Sequence, residues 1–383
     1  MRISRGTKIG SLAVAGVLTL AACSSSGGGT GSSSSDTSSA PPSDTTAMSP
    51  STMPSDTSSS SSSPYAPITG DASSVKLGVA LDGPLGDASF NDMAHDGEEA
   101  AKTAGVDVIE ELYATTGEPD SAKQDRLQQL IDDGATTVVA NGFDYATPMK
   151  AVAAANPKVH FAIVDDDSLA KVPNVASLVF SAEQSSFLAG AAAALKTTSK
   201  HVAFIGGVDV PLLQTFQAGF DAGVKAVDPS ITIDDKYVEE SDYAGFNEPD
   251  KGQTIAKGLY DAGADIIYAA AGGSGTGVFK AAKSESKLAI GVDSDQYTIP
   301  DLADVKSVIM TSAVKNVNIA IYNFVASVAA GSPETGVVSN DLKSGGVGIS
   351  YSGGAIDDIK SKLDDFTSQI ESGTITVPTT LSK

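Results

Sequence analysis

After an apolar run that ends at Leu81, the chain reads Asp82-Gly83-Pro84-Leu85-Gly86-Asp87-Ala88-Ser89-Phe90-Asn91. The chemistry on offer is hydrogen bonding. The Asp82 carboxylate can accept from two hydroxyls of a sugar, and the Asn91 amide both donates and accepts. Glycine and proline at this spacing make a turn that opens into a helix. Asp87 and Ser89 can equally be its caps, and Phe90 can equally belong to the core. A second acidic group, Asp165-Asp166-Asp167, follows another apolar run. Adjacent carboxylates lack the spaced ligands of a calcium loop. Two of the three therefore read as a solvated turn, whereas Asp165 stands where a strand-end side chain reaches a crevice. Asp293 ends a further run, and Lys315 is expected to begin a helix after a strand at 305–310. Together they supply an acceptor and a donor for vicinal hydroxyls, or they close a salt bridge between lobes.

The run Gly272-Gly273-Ser274-Gly275-Thr276-Gly277 also sits between a strand and a helix. Backbone donors there could meet phosphate. No Gly-Lys-Ser/Thr follows and the dinucleotide fingerprint is incomplete, so close approach of backbone to a polyhydroxyl ligand explains it better. No catalytic group emerges. A Gly-x-Ser-x-Gly elbow is missing. The three histidines, His95, His160 and His201, are far apart in sequence, and no spaced Cys/His cluster resembles a zinc site. The reading is of a protein that is not an enzyme, with no metal and no cofactor.

The elements that must position these residues alternate. Short apolar runs at 75–81, 106–113, 136–140, 159–164, 175–180, 201–205, 231–237, 266–270, 288–292, 305–310 and 347–350 have the near-continuous character of strands covered on both faces. Amphipathic stretches at 88–104, 149–155, 187–195, 216–227, 254–261 and 314–330 lie between them, with a further one around Leu127, Leu130 and Ile131. Gly105, Gly134, Gly223 and Gly263 fall near expected helix ends, where a left-handed cap is common. Strand–helix alternation gives right-handed parallel α/β units. About eleven strands exceed one such sheet, so two α/β lobes are expected, with ligand at the carboxyl ends of strands facing a common crevice. One lobe is expected at 75–178 plus 293–328, and the other at 181–290 plus 331–383.

What precedes residue 75 looks like an address and a tether. Arg2, Arg5 and Lys8 lead into an apolar run from Ile9 to Leu20, then Leu20-Ala21-Ala22-Cys23 with the sole cysteine. A basic start and an apolar core of this length fit an export signal over 1–22 and are too short for a comfortable bilayer span. The stretch resembles a bacterial lipoprotein signal, which implies lipidation of Cys23; two acyl chains suffice for stable anchoring. Residues 23–74 are Ser-, Gly-, Thr- and Pro-rich and are expected to form a disordered spacer. The formal net charge of −22 leaves no basic stripe for nucleic acid.

Several segments are similar to the basic membrane protein family, which includes purine nucleoside receptor lipoproteins: GDASFNDMAHDG (86–97), ANPKVHFAIVDD (155–166), HVAFIGGVDVPLLQTFQAGFDAGVKAVDP (201–229), FNEPDKG (246–252), AAGGSGTGVFKAAK (270–283), IGVDSDQY (290–297) and GVGIS (346–350). The resemblance implies a type-I periplasmic-binding-protein fold: two lobes of parallel sheet flanked by helices. It implies an extracytoplasmic, lipid-anchored solute-binding component of an ABC uptake system, monomeric, with a permease as partner. It further implies that Phe90 and Phe246 stack on a purine from opposite lobes. Asn91 and Asp165 would read the base edge. Asp82, Asp293, Lys315 and backbone near Gly275 would hold ribose hydroxyls. Without the resemblance, Phe246 could simply pack a hinge. Leu81-Asp82-Gly83-Pro84 is shorter and stiffer than the family's Asp-x-Gly-Gly, so this loop either places Asp82 differently or suits another hydroxylated ligand. A signalling sensor with the same crevice is the alternative role.

Overall fold

The computed structural model describes residues 63–381. The first five strands are β1 (Lys76–Leu81), β2 (Asp107–Tyr113), β3 (Thr137–Asn141), β4 (His160–Val164) and β5 (Val175–Phe180). The next five are β6 (His201–Val208), β7 (Thr232–Glu239), β8 (Ile266–Ala270), β9 (Leu288–Asp293) and β10 (Ile309–Lys315), followed by β11 (Gly336–Asn340) and β12 (Val347–Ile349). They form two six-stranded sheets, ordered β11-β5-β4-β3-β1-β2 and β12-β10-β9-β8-β6-β7. Every pairing in the first is parallel. In the second only β12, beside β10, runs antiparallel.

Nine helices among the described residues cover the sheets: α1 (Phe90–Thr103), α2 (Asp120–Asp132), α3 (Ala146–Ala155), α4 (Ala182–Lys196), α5 (Pro211–Val227), α6 (Pro249–Asp261), α7 (Gly275–Glu285), α8 (Val317–Ala329) and α9 (Lys360–Glu371). Cover on both faces explains why β3 and β8 are buried along their whole length and carry no alternation. In the first lobe, Leu77, Val79 and Leu81 pack with Ile321, Phe324 and Val325 of α8, while Leu127, Leu130, Tyr145 and Phe161 fill the opposite face. In the second lobe, Phe204, Phe220 and Tyr268 occupy one face, and Ile205, Ile267 and Phe279 the other.

The chain crosses between lobes in places that differ from the sequence-based division. The strand expected at 305–310 starts only at Ile309, after a 3-10 turn at Lys306–Val308, and belongs to the second sheet, where it pairs with β9. Lys315 consequently ends a strand and does not begin a helix. The crossing comes after it: α8 packs against α1 of the first lobe, β11 pairs with β5 there, and β12 returns to β10. An apolar run declares that it is buried but not which of two similar sheets receives it. β11 is a half-buried edge strand with alternating exposure, and this weak pattern hid it among the expected elements.

Two further corrections concern local features. Residues 63–74, expected to belong to the spacer, are mostly exposed but rest on the first lobe through Tyr65, Ile68 and Ala72. Tyr65 stacks on Tyr322 at 4.9 Å between ring centroids, Asn318 donates to the Tyr65 hydroxyl, and Tyr322 donates to the Ala66 carbonyl. Tyr65 and Ile68 are the apolar anchors that a Ser-rich average conceals. Gly223 is not a cap; it lies inside α5, where a Cβ would meet the Phe187 carbonyl of α4. The two Ala- and Gly-rich helices thus approach closely enough to bury α4 on nearly all sides. The export segment 1–22, Cys23 and the spacer up to residue 62 lie outside the described residues.

Candidate functional site

The carboxyl ends of both sheets face one cavity. Its walls include Asp82, Phe90, Asn91 and Asp165 from the first lobe, and Phe246, Asp293 and Lys315 from the second. Of the eight sequence-expected ligand residues, the structure brings these seven together. Gly275 is apart: it is buried at the start of α7 against Ala269, and Gly272 lines the cavity in its stead. The glycine run meets Phe246 first. Gly272 adopts φ +53°, and a Cβ there would crowd the Phe246 carbonyl.

Backbone conformation aims two of the acids. Asp165 follows β4 with φ +66°, and Asp293 closes β9 with φ +60°. Aspartate is among the few side chains that tolerate this left-handed geometry, which costs on the order of 1–3 kcal/mol and clusters at ligand sites. Here it turns each carboxylate out of its strand and into the cavity. Between them lies Lys315, with Nζ 2.6 Å from Asp165 Oδ2 and 3.5 Å from Asp293 Oδ1. Burial alone would lower the Lys315 ammonium; Asp165 and Asp293 outweigh it and hold the charge above the usual lysine range. Phe90, Phe180 and Phe216 surround the same ammonium, Phe90 closest at 4.4 Å from its centroid.

The lobes are tied directly. Ser89 donates to Asp293 Oδ2 at 2.6 Å, while Ser294 and Gln296 both donate to the Ala88 carbonyl at 2.9 Å. Asp293 is thereby anchored through one oxygen. The other, Oδ1, faces the Lys315 ammonium at 3.5 Å on the cavity wall. Asp87, which the sequence left as a cap, does cap α1, accepting from the N–H groups of Ser89, Asn91 and Asp92. Burial nonetheless pushes its carboxyl up to about 6. Asn91 is held between Asp87 and Asn141, which donates to its Oδ1. Asp82 is desolvated and faces Asp144, and both effects drive its carboxyl well above the ordinary range.

Sequence reasoning missed part of the wall. Phe143 and Asp144, which follow β3, line the cavity with Leu212, Leu213 and Phe216 at the start of α5. A signal existed: β3 ends at Asn141, so the next residues occupy the same strand-end position as Asp82 and Asp165. Lys123 pairs with Asp144 and offsets part of its burial. At the rim, Phe143 of one lobe meets Tyr243 of the other edge to face, centroids 5.4 Å apart. The arrangement as a whole offers two flat aromatic walls, several acceptors and one buried cation. Such an arrangement can hold a polar molecule with a planar part.

Residues 74–380 match the family of ABC transporter substrate-binding proteins described as PnrA-like. A Listeria innocua protein named CD4+ T-cell-stimulating antigen is 33% identical over 80% of this chain and 90% of its own length. A Lactococcus lactis protein named ABC transporter nucleoside-binding protein BmpA is 34% identical over 62% of this chain and 69% of its own. Among solved structures, an ABC transporter solute-binding protein from Aeropyrum pernix superposes with a TM-score of 0.67 at 25% identity, covering 79% of this chain and 94% of that one. Fold, cleft and family therefore agree, and the chain belongs to the PnrA-like family of ABC transporter substrate-binding proteins.

Proposed function

We propose that the cleft binds a purine nucleoside and presents it, with the lobes closed, to an ABC permease. The observation that carries this reading is the convergence of Phe90 and Phe246, from opposite lobes, on one cavity that also holds acceptors and a lysine. A base between two aromatic faces gains about 1–3 kcal/mol from each by analogy with stacked single-stranded nucleic acid. Asp82, Asp293 and Lys315 suit the two ribose hydroxyls, which need acceptors and tolerate a donor. Asn91 and Asp165 suit the base edge. A guest bridging both lobes favours the closed form, since only that form supplies both sets of contacts. The name of the Lactococcus lactis relative supports the nucleoside assignment.

In this reading the protein works outside the cytoplasmic membrane, held by lipid on Cys23. The apolar run, the small residues before Cys23 and the long spacer support it. Replacement of Cys23 by serine should shift the protein from the membrane fraction to the soluble one; retention in the membrane would contradict the anchor.

The nucleoside assignment is tested by denaturing protein purified from its source and identifying released small molecules by mass spectrometry. A purine nucleoside at close to one equivalent is expected. Release of a free sugar or an amino acid in that amount would overturn it.

A further inference from the structure

Away from the cleft, three ligand-type side chains converge on the outer side of the first lobe. His95 and Glu98 are three residues apart on α1 and so share one face of the helix. Glu111 projects toward them from β2, the edge strand of its sheet. One ligating atom from each lies within 4.8 Å of the others. His95 Nδ1 is already 2.9 Å from Glu111 Oε2.

The buried member makes this more than a surface cluster. Glu98 is only 4% exposed, and its Oε2 has no hydrogen-bond donor. It points at the Glu111 carboxylate, so one acceptor faces another. Lys102, one turn on along α1, is turned to Glu99 at 2.6 Å. Burial and the facing Glu111 push the Glu98 carboxyl up to about 8, so in the metal-free protein a proton lies between the two carboxylates, in the place that a metal cation would take. We propose that His95, Glu98 and Glu111 bind a divalent transition-metal cation of the zinc type.

The chemistry fits. Zinc takes imidazole nitrogen and carboxylate oxygen at about 2.0–2.2 Å, so tetrahedral ligand atoms stand about 3.4 Å apart. The three atoms lie within 4.8 Å of one another, and the His95–Glu111 pair at 2.9 Å, on either side of that spacing. His95 is partly exposed while Glu98 is buried, which gives an entry side and a closed back. Nitrogen in the set favours zinc over magnesium or calcium, which prefer oxygen ligands only. No sequence motif betrays the site, because Glu111 comes from a separate element. Bound metal would clamp α1, whose first residue is the cleft aromatic Phe90, onto the sheet edge.

The experiment is calorimetric titration of zinc chloride into the untagged, chelator-stripped full chain without solute, alongside Glu98→Gln, His95→Ala and, as a control, His201→Ala. Among the described residues His201 pairs with one carboxylate, Asp234, and it is no part of the site. Saturation near one equivalent is expected for the parent and the control, with at least a tenfold loss of affinity in Glu98→Gln and His95→Ala. Glu98→Gln keeps the side-chain volume, and its circular dichroism spectrum reports folding. Absence of one-equivalent binding, a set of weak sites only, or equal affinity in Glu98→Gln would each overturn the proposal. The nucleoside reading does not depend on this outcome.

Discussion

Lys315, the last residue of a strand in one lobe, bonds at 2.6 Å to Asp165, just past a strand of the other. Both side chains are 5% exposed, and Asp293 lies behind the same ammonium. Removing one partner from such a pair leaves an uncompensated buried charge, at a cost of about 3–5 kcal/mol. Lys315→Met, similar in volume, is expected to lower the denaturant midpoint by a corresponding amount. Adding Asp165→Asn should recover most of the loss. An unchanged midpoint in Lys315→Met would show that the pair holds nothing together.

Two glycines shape the cleft without reaching a guest. A Cβ on Gly207 would strike the ring of Phe246, and one on Gly142 would stand 2.6 Å from Asp82 Oδ2. Gly142 also has φ +127°, which strains any other residue. Gly207→Ala is expected to weaken solute binding roughly tenfold, the scale of one lost stacking contact. Binding calorimetry combined with thermal melting separates this from unfolding: affinity should fall far more than the melting temperature does.

The rim contact between Phe143 and Tyr243 crosses the cleft mouth. An edge-to-face aromatic pair is worth about 0.5–1.5 kcal/mol, so Tyr243→Ala should speed solute release roughly two- to tenfold. Stopped-flow displacement measures this directly. A slower release would mean that Tyr243 hinders closure.

Acidity should stabilise the solute-free, metal-free protein over part of the range. Burial pushes Asp87 up to about 6, and burial with Asp221 nearby does the same to Asp235. Unfolded, both titrate near 3.9. A raised folded value means that stability is full below about 4 and is lost as pH climbs through 6. Asp228, lowered to about 2 by Ser230 and Lys200, works the opposite way, but only below about 4. The melting temperature is expected to be a few degrees higher at pH 5 than at pH 7.5. A rise over that interval would contradict the assignment.

Strand ends were the most legible feature of the sequence, because an apolar run followed by Asp marks both a buried strand and its exit. Asp82, Asp165 and Asp293 all stand at such exits and all line the cavity. The same rule at Asn141 would have found Phe143 and Asp144. Lobe membership was legible only in part: 317–328 was expected in the first lobe, where α8 packs on α1, but β10 and β11 were each expected in the other's lobe, because an apolar run does not say which of two similar sheets receives it. Lys315 was singled out and does line the cavity, but it was set in the wrong element for that reason. Gly275 and Gly272 differ by three residues within one glycine run, and only the approach of Phe246 selects Gly272. The glutamates beside His95 escaped notice because one helical pair and one distant strand residue make no spacing pattern.

The central claim is that Phe90 and Phe246 grip one planar base between the lobes. Calorimetric titration with inosine tests it most directly, on the parent chain and on Phe90→Ala and Phe246→Ala. One-site binding is predicted for the parent, at least tenfold weaker in each variant, with circular dichroism unchanged. Failure of the parent to bind inosine, or a variant affinity equal to the parent's, would contradict it.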